Sequence, residues 1–235
     1  WFDASVASAQ AGSIYLFASG LSFSLAMLVK QYVIFYAIPM VWLVLKKFDF
    51  EFGKVFKSRE LWAFAAIALI PVAIWRVWMF KFPEGIPFYK WAFNSDGIRF
   101  RPSFWRWIFG ERVGRLILGG WEIFVFVGGL VAKGKKEENG FVLAFIISSF
   151  AYVATIASAN VRHDYYQTLI IPAVSLVLAR GVIYLWDIKE GFYQPFLRLF
   201  ILICVSWGLI FSWYEIREFY KVNHPEIIRS GEALD

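Results

Sequence analysis

Asn160-Val161-Arg162-His163-Asp164-Tyr165-Tyr166-Gln167 joins two apolar runs, Phe141 to Ala157 and Thr168 to Trp186. Each run has the length that crosses a ~30 Å hydrocarbon core at 1.5 Å per residue. The connection between them is therefore a tight turn at a membrane surface. Such a turn needs only polar residues, yet this one carries a guanidinium, an imidazole, a carboxylate and two phenols. It has two readings. In the first, the tyrosines sit among lipid headgroups and the arginine pairs with lipid phosphate. In the second, the turn belongs to a site that handles a phosphate or a sugar at the membrane edge.

The rest of the chain has the same character. Of its 235 residues, 60% are hydrophobic and 18% charged, and the mean hydropathy is +0.58. A soluble domain is nearer half apolar and a quarter charged. The apolar runs are continuous, whereas an outer-membrane barrel requires alternation. Helices are the remaining way to satisfy every backbone group inside a bilayer. The expected fold is an all-α, polytopic transmembrane helix bundle of about seven spans. They fall at residues 11–29, 32–45, 61–79, 113–132, 141–157, 168–186 and 197–214. A sharp turn is required at Lys30-Gln31, because one helix over the first two spans would be about 50 Å long. Residues 1–214 form the membrane region, and residues 215–235 open an extracytoplasmic C-terminal region. The single cysteine, Cys204, allows no disulfide within the chain. The chain starts without Met and stops in an amphipathic stretch, which reads as an internal fragment of a larger protein.

Charge sets the orientation. The short loops 46–60, 133–139 and 187–198 are rich in Lys and Arg and share one side, the cytoplasm by the positive-inside rule. The opposite, outer face then collects Lys30, Arg76, the long loop 80–112, and Arg162-His163-Asp164. Basic groups on several neighbouring segments at headgroup depth suggest an anion site. Arg76 lies in Ile74-Trp75-Arg76-Val77-Trp78, where a charge must snorkel, pair or line a polar cavity. Arg180 lies near the cytoplasmic end of its span and reads as a snorkelling residue. In the long loop, Arg99, Arg101, Arg106 and Arg112 interleave with aromatic residues. After Pro102 this pattern predicts a short helix resting in the interface. Basic and aromatic residues also mark nucleic-acid surfaces, but the membrane context argues against nucleic acid as a partner. His163 and His224 lack second ligands at metal spacing. Asp164 beside His163 is half of a divalent-metal site at most, so ligand spacing supports no metal or other cofactor. Phosphate loops, dinucleotide fingerprints and nucleophile elbows are absent from the sequence.

Ser24-Leu25-Ala26-Met27-Leu28-Val29-Lys30-Gln31-Tyr32 resembles a span end of the polytopic GT-C glycosyltransferases. The likeness is to the branch of dolichyl-phosphate-mannose protein mannosyltransferases and bacterial aminoarabinose transferases. Arg162-His163-Asp164-Tyr165-Tyr166 followed by Ile171-Pro172 is similar to their His-x-Tyr-Tyr…Pro segment. The loop Ile98-Arg99-Phe100-Arg101 to Arg112 and the following Gly119-Gly120 are also similar. The resemblance implies transfer of a sugar from a polyprenyl-phosphate donor to a glycan, lipid or protein acceptor. It implies the outer face of the bacterial cytoplasmic membrane as the place. Lys30, Arg76, Arg162 and His163 would hold the donor phosphate. Asp164, Tyr165, Tyr166, Arg99 and Arg101 would contact substrate. The family's catalytic acid lies in a first outer loop that nothing here matches. Asp3, the one early acid, is predicted on the cytoplasmic side and is not assigned, so the chain alone is expected to be inactive. The competing expectation is a transporter or flippase for a phosphate-bearing lipid, which calls for ionisable groups at the bilayer midplane and internal repeats.

Overall fold

The structure, a computed structural model, describes residues 9–86, 89–188, 193–217 and 220. The described residues are helical, with no strand among them. In chain order the elements are α1 (Ala9–Val29), a 3₁₀ segment (Gln31–Tyr36), α2 (Ala37–Lys47), α3 (Phe52–Lys57) and α4 (Arg59–Met79). Short 3₁₀ turns follow over Pro83–Gly85, Lys90–Ala92 and Ser95–Phe100. Then come α5 (Pro102–Arg106), a π-helix (Trp107–Ile117), α6 (Ile123–Val131) and α7 (Lys136–Thr155). The chain goes on through α8 (Ala157–Arg162), a 3₁₀ segment (Asp164–Leu169), α9 (Ile171–Asp187) and α10 (Gln194–Ile216). Three of these, α4, α7 and α10, are long and apolar enough to cross a membrane. Their outward surfaces are apolar: Ile70, Ile74, Val77, Leu143, Ile147, Leu202 and Ile210 are all exposed. A water-soluble surface rarely presents so much apolar area, whereas lipid requires it.

The chain divides into two compact units. The first comprises residues 1–99 and 134–173. There α1 ends at Val29, and Lys30 adopts an extended backbone (φ −147°, ψ 106°) before the chain reverses into the 3₁₀ segment and α2. The turn expected at Lys30-Gln31 is present, and it needs no glycine because extended backbone is open to any residue. The 3₁₀ segment plus α2 is about 28 Å long, because the tighter helix rises ~2 Å per residue. α1 lies on α4 through Phe23 and Phe64, with ring centroids 6.2 Å apart. α2 lies on α7 through Trp42 and Phe141, 5.9 Å, and the 3₁₀ segment does so through Tyr36 and Phe145, 6.1 Å. The helix ends sort into two sets. At one end, Lys46 of α2 meets Glu137 of α7 at 2.7 Å, and Lys47 meets Glu60 of α4 at 3.0 Å. At the other end, Arg76 of α4 donates to Gln31 Oε1 at 2.8 Å. This is the sorting the charge pattern predicts.

The second unit comprises residues 100–133 and 174–235. The expected continuous span over 113–132 is not there. The π-helix stops at Ile117 and α6 starts at Ile123. Gly119 and Gly120 between them take positive φ, 53° and 74°, which a side chain disfavours and a helix cannot contain. The short helix expected after Pro102 is present as α5, with Pro at its first turn. Arg180 also differs from expectation. Its guanidinium donates to the carbonyl of Ala132, the C-cap of α6, instead of simply snorkelling. A cation there satisfies an orphan carbonyl at the negative end of a helix. α6 and α9 touch backbone to backbone: a Cβ on Gly129 would strike the Val177 carbonyl, and one on Gly181 the Val125 carbonyl. Small residues permit such close crossings in helix pairs that lipid surrounds. The expected C-terminal region falls almost wholly outside the described residues, and Asp3 and His224 do too.

Replacing Gly181 with Leu should part α6 from α9 and cost about 3 kcal/mol or more, the upper end of core overpacking. Thermal unfolding in detergent checks this. A Gly181→Leu protein with an unchanged melting temperature would contradict the backbone contact.

Candidate anion site in the first unit

α7 is broken at Ile156 (φ −98°, ψ 44°), and the short α8 and 3₁₀ segment from there to Ile170 are cross-tied by buried polar bonds. Asn160 Nδ2 donates to the Ile156 carbonyl at 2.9 Å. Gln167 Nε2 donates to the Asn160 carbonyl at 2.6 Å and to Asn160 Oδ1 at 3.2 Å, and both residues are fully buried. Tyr152 donates its hydroxyl to the Tyr166 carbonyl at 3.1 Å. The loop before it docks on the same place. Ser158 N donates to the Phe93 carbonyl at 2.9 Å, and Ser95 N donates to Ser158 Oγ at 2.8 Å. Buried bonds of this kind rigidify a turn because each broken one strands a polar group away from water.

On this frame the predicted residues converge. The Lys30 ammonium lies over the rings of Tyr166, Tyr165 and Tyr32, at 4.3, 5.2 and 5.5 Å from their centroids. His163 stacks on Tyr165 and Tyr166, with centroids 5.4 and 5.9 Å away, and stands edge-on to Trp91 at 5.7 Å. The Arg162 guanidinium covers Trp91 at 5.6 Å. Arg76 reaches the same junction through Gln31, the residue after Lys30. Lys30, Arg76, Arg162 and His163 form no ion pair with a carboxylate among the described residues. Arg162, His163 and Tyr165 are exposed, Lys30, Arg76 and Asp164 are partly so, and Tyr166 is buried. The Tyr165 phenol is pushed above its ordinary range, first by lost hydration and then by Tyr166, against the opposing pull of Lys30. It therefore stays a neutral O–H donor at physiological pH.

Of the other predicted contacts, Arg99 is engaged within the first unit and Arg101 falls in the second. Arg99 turns into the protein and donates to the Ala154 carbonyl at 2.8 Å, in the last turn of α7. Arg101 is exposed and belongs to the second unit. Sequence reasoning missed Gln31, Trp91, Asn160 and Gln167. Gln31 and Gln167 were within reach, since each is polar and abuts the basic stretches. Trp91 carries no such signal, because only the fold brings its loop to Arg162. Among the described residues no three His, Cys, Asp or Glu side chains gather as metal ligands.

Three cationic side chains and an imidazole gathered in this way can receive an anion. An exposed ammonium on aromatic faces gains about 0.5–1 kcal/mol per ring contact. A charge-assisted hydrogen bond to a phosphate oxygen is worth ~1.5–3 kcal/mol, so an incoming phosphate outcompetes a ring. Comparison of the chain with protein-family models, curated proteins and solved structures gives no match.

Gln167→Met should leave the Asn160 groups unsatisfied and loosen the turn by about 1–3 kcal/mol. Hydrogen exchange of peptides over residues 157–167 reads this, with faster exchange there and unchanged exchange in α10. Uniformly unchanged exchange would show that the buried bonds do not hold the turn.

Proposed function

We propose that this chain is part of a multi-pass membrane glycosyltransferase that takes a sugar from a polyprenyl-phosphate donor. The observation that carries the reading is the gathering of Lys30, Arg76, Arg162 and His163 at one end of the first unit, without carboxylate partners among the described residues. In this reading the about seven apolar segments cross the bacterial cytoplasmic membrane and that end faces outward. The four side chains hold the donor phosphate. Tyr165 and Tyr166, with Asp164, border the sugar, and their rings suit a pyranose face. Arg99 acts on the loop through the α7 terminus rather than on substrate.

The reaction follows from that placement. An acceptor hydroxyl attacks the anomeric carbon, the bond from that carbon to the phosphate oxygen breaks, and the electron pair leaves on the phosphate. Cations fixed around the phosphate stabilise the charge as it develops. The acceptor proton goes to a general base, which the resemblance places N-terminal to this chain. Glycan, lipid and protein acceptors are all compatible with this scheme.

The test uses full-length protein in nanodiscs, a polyprenyl-phosphate sugar, and readouts of both lipid binding and sugar transfer. Lys30→Ala and Arg162→Ala should each weaken binding by about tenfold or more, ~1.4 kcal/mol or more, and should reduce transfer in step. Arg180→Ala, which loses only the α6 cap, should bind normally per folded molecule. Equal losses in all three variants would count against the site. Binding without transfer to any acceptor would favour a flippase instead.

A further inference from the structure

A groove runs along α2 toward the end opposite Lys30. A cavity of about 720 Å³ runs between α1, α2, α3 and α4, walled by Phe23, Ile34, Met40, Val44, Phe64 and Ala68. Its volume is that of a small-ligand pocket, and its lining is almost wholly apolar until it reaches Lys46 and Lys47. Lys47 is shared with a second cavity of about 530 Å³, formed by Lys47, Phe48, Lys54, Lys57, Ser58, Arg59 and Glu60. An apolar groove and a basic cup thus meet at Lys47. Two acids temper the cup: Glu60 pairs with Lys47 at 3.0 Å, and Glu51 with Lys54 at 2.7 Å. Both pairs are exposed, and exposed pairs are weak. Lys57 and Arg59 are exposed and have no carboxylate partner among the described residues.

We propose that the groove and cup together bind one anionic phospholipid of the surrounding leaflet, an acyl chain in the groove and the phosphate at Lys57 and Arg59. Two features select this occupant. An apolar space beside excess positive charge matches a lipid that is apolar at one end and anionic at the other. The loop is also the one that charge counting assigns to the cytoplasm, where anionic lipids make the surface negative and attract basic segments. The basic cup lies past the Lys46–Lys47 end of α2, whereas Lys30 precedes the 3₁₀ lead-in at the other end, and the groove runs along α2 between them. Bound there, the lipid would add to the contacts of α3, among them the bond from Trp62 Nε1 of α4 to the Phe56 carbonyl at 2.8 Å.

Native mass spectrometry of the full-length protein tests this, after delipidation and exposure to equimolar phosphatidylglycerol, phosphatidylcholine and polyprenyl phosphate. Phosphatidylglycerol should be retained preferentially. Lys57→Gln and Arg59→Gln should each cut that preference about fivefold. Ala65→Phe, which fills the groove, should lower retention of both phospholipids. Lys30→Ala should leave phosphatidylglycerol retention unchanged, which separates this site from the proposed donor site. Equal retention of the two phospholipids would overturn the proposal, as would indifference to the Lys57 and Arg59 changes. Displacement of phosphatidylglycerol by polyprenyl phosphate, lost in those same variants, would also overturn it by assigning the groove to a different lipid.

Discussion

An ammonium group between two apolar helices is the constraint from which the first unit follows. Lys30 cannot continue a helix into hydrocarbon, and it meets no carboxylate among the described residues. Its partners are instead the faces of Tyr32, Tyr165 and Tyr166. Satisfying it that way requires three things at once. The backbone must break at Lys30, the following 3₁₀ segment must turn Tyr32 back over the ammonium, and residues 163–166 must be fixed above it. The break is supplied by extended dihedrals and the overlying turn by the Asn160–Gln167 bonds. Arg76, tied to Gln31, closes the arrangement from α4.

The two units hold themselves together by different means. In the first, aromatic rings fill the helix contacts and buried amides and hydroxyls fix the irregular turn. In the second, close backbone approaches at glycine join aromatic contacts such as Phe124 on Phe200, 6.0 Å. Gly129 and Gly181 allow α6 and α9 to meet at the backbone, and Gly119 and Gly120 let the chain turn between the π-helix and α6. Polar order suits the unit that presents charged groups. Close crossing suits α6 and α9, where absent side chains let the backbones meet and van der Waals contact holds the pair.

Much of this was legible in the sequence. Continuous apolar runs gave helices, the length argument gave the turn at Lys30, and the charge pattern sorted Lys30, Arg76 and Arg162 from Lys46 and Lys47. What failed was local or long-range. Gly119-Gly120 lie in an apolar stretch whose hydropathy reads as one span, and hydropathy is blind to dihedrals. Arg180 read as snorkelling because the Ala132 carbonyl it caps is 48 residues away. Arg99 carried the same charge and aromatic setting as Arg101, and only the position of the α7 terminus separates them. Trp91 was invisible for the same reason.

The central claim is that the cluster around Lys30 receives the phosphate of a lipid-linked sugar. The most direct measurement is an experimental density map of the full-length protein with a polyprenyl phosphate bound. The account predicts the phosphate within hydrogen-bond distance of Lys30 and Arg162, with the ammonium lifted from the Tyr166 ring. A phosphate bound elsewhere, with Lys30 still resting on its three rings, would contradict it.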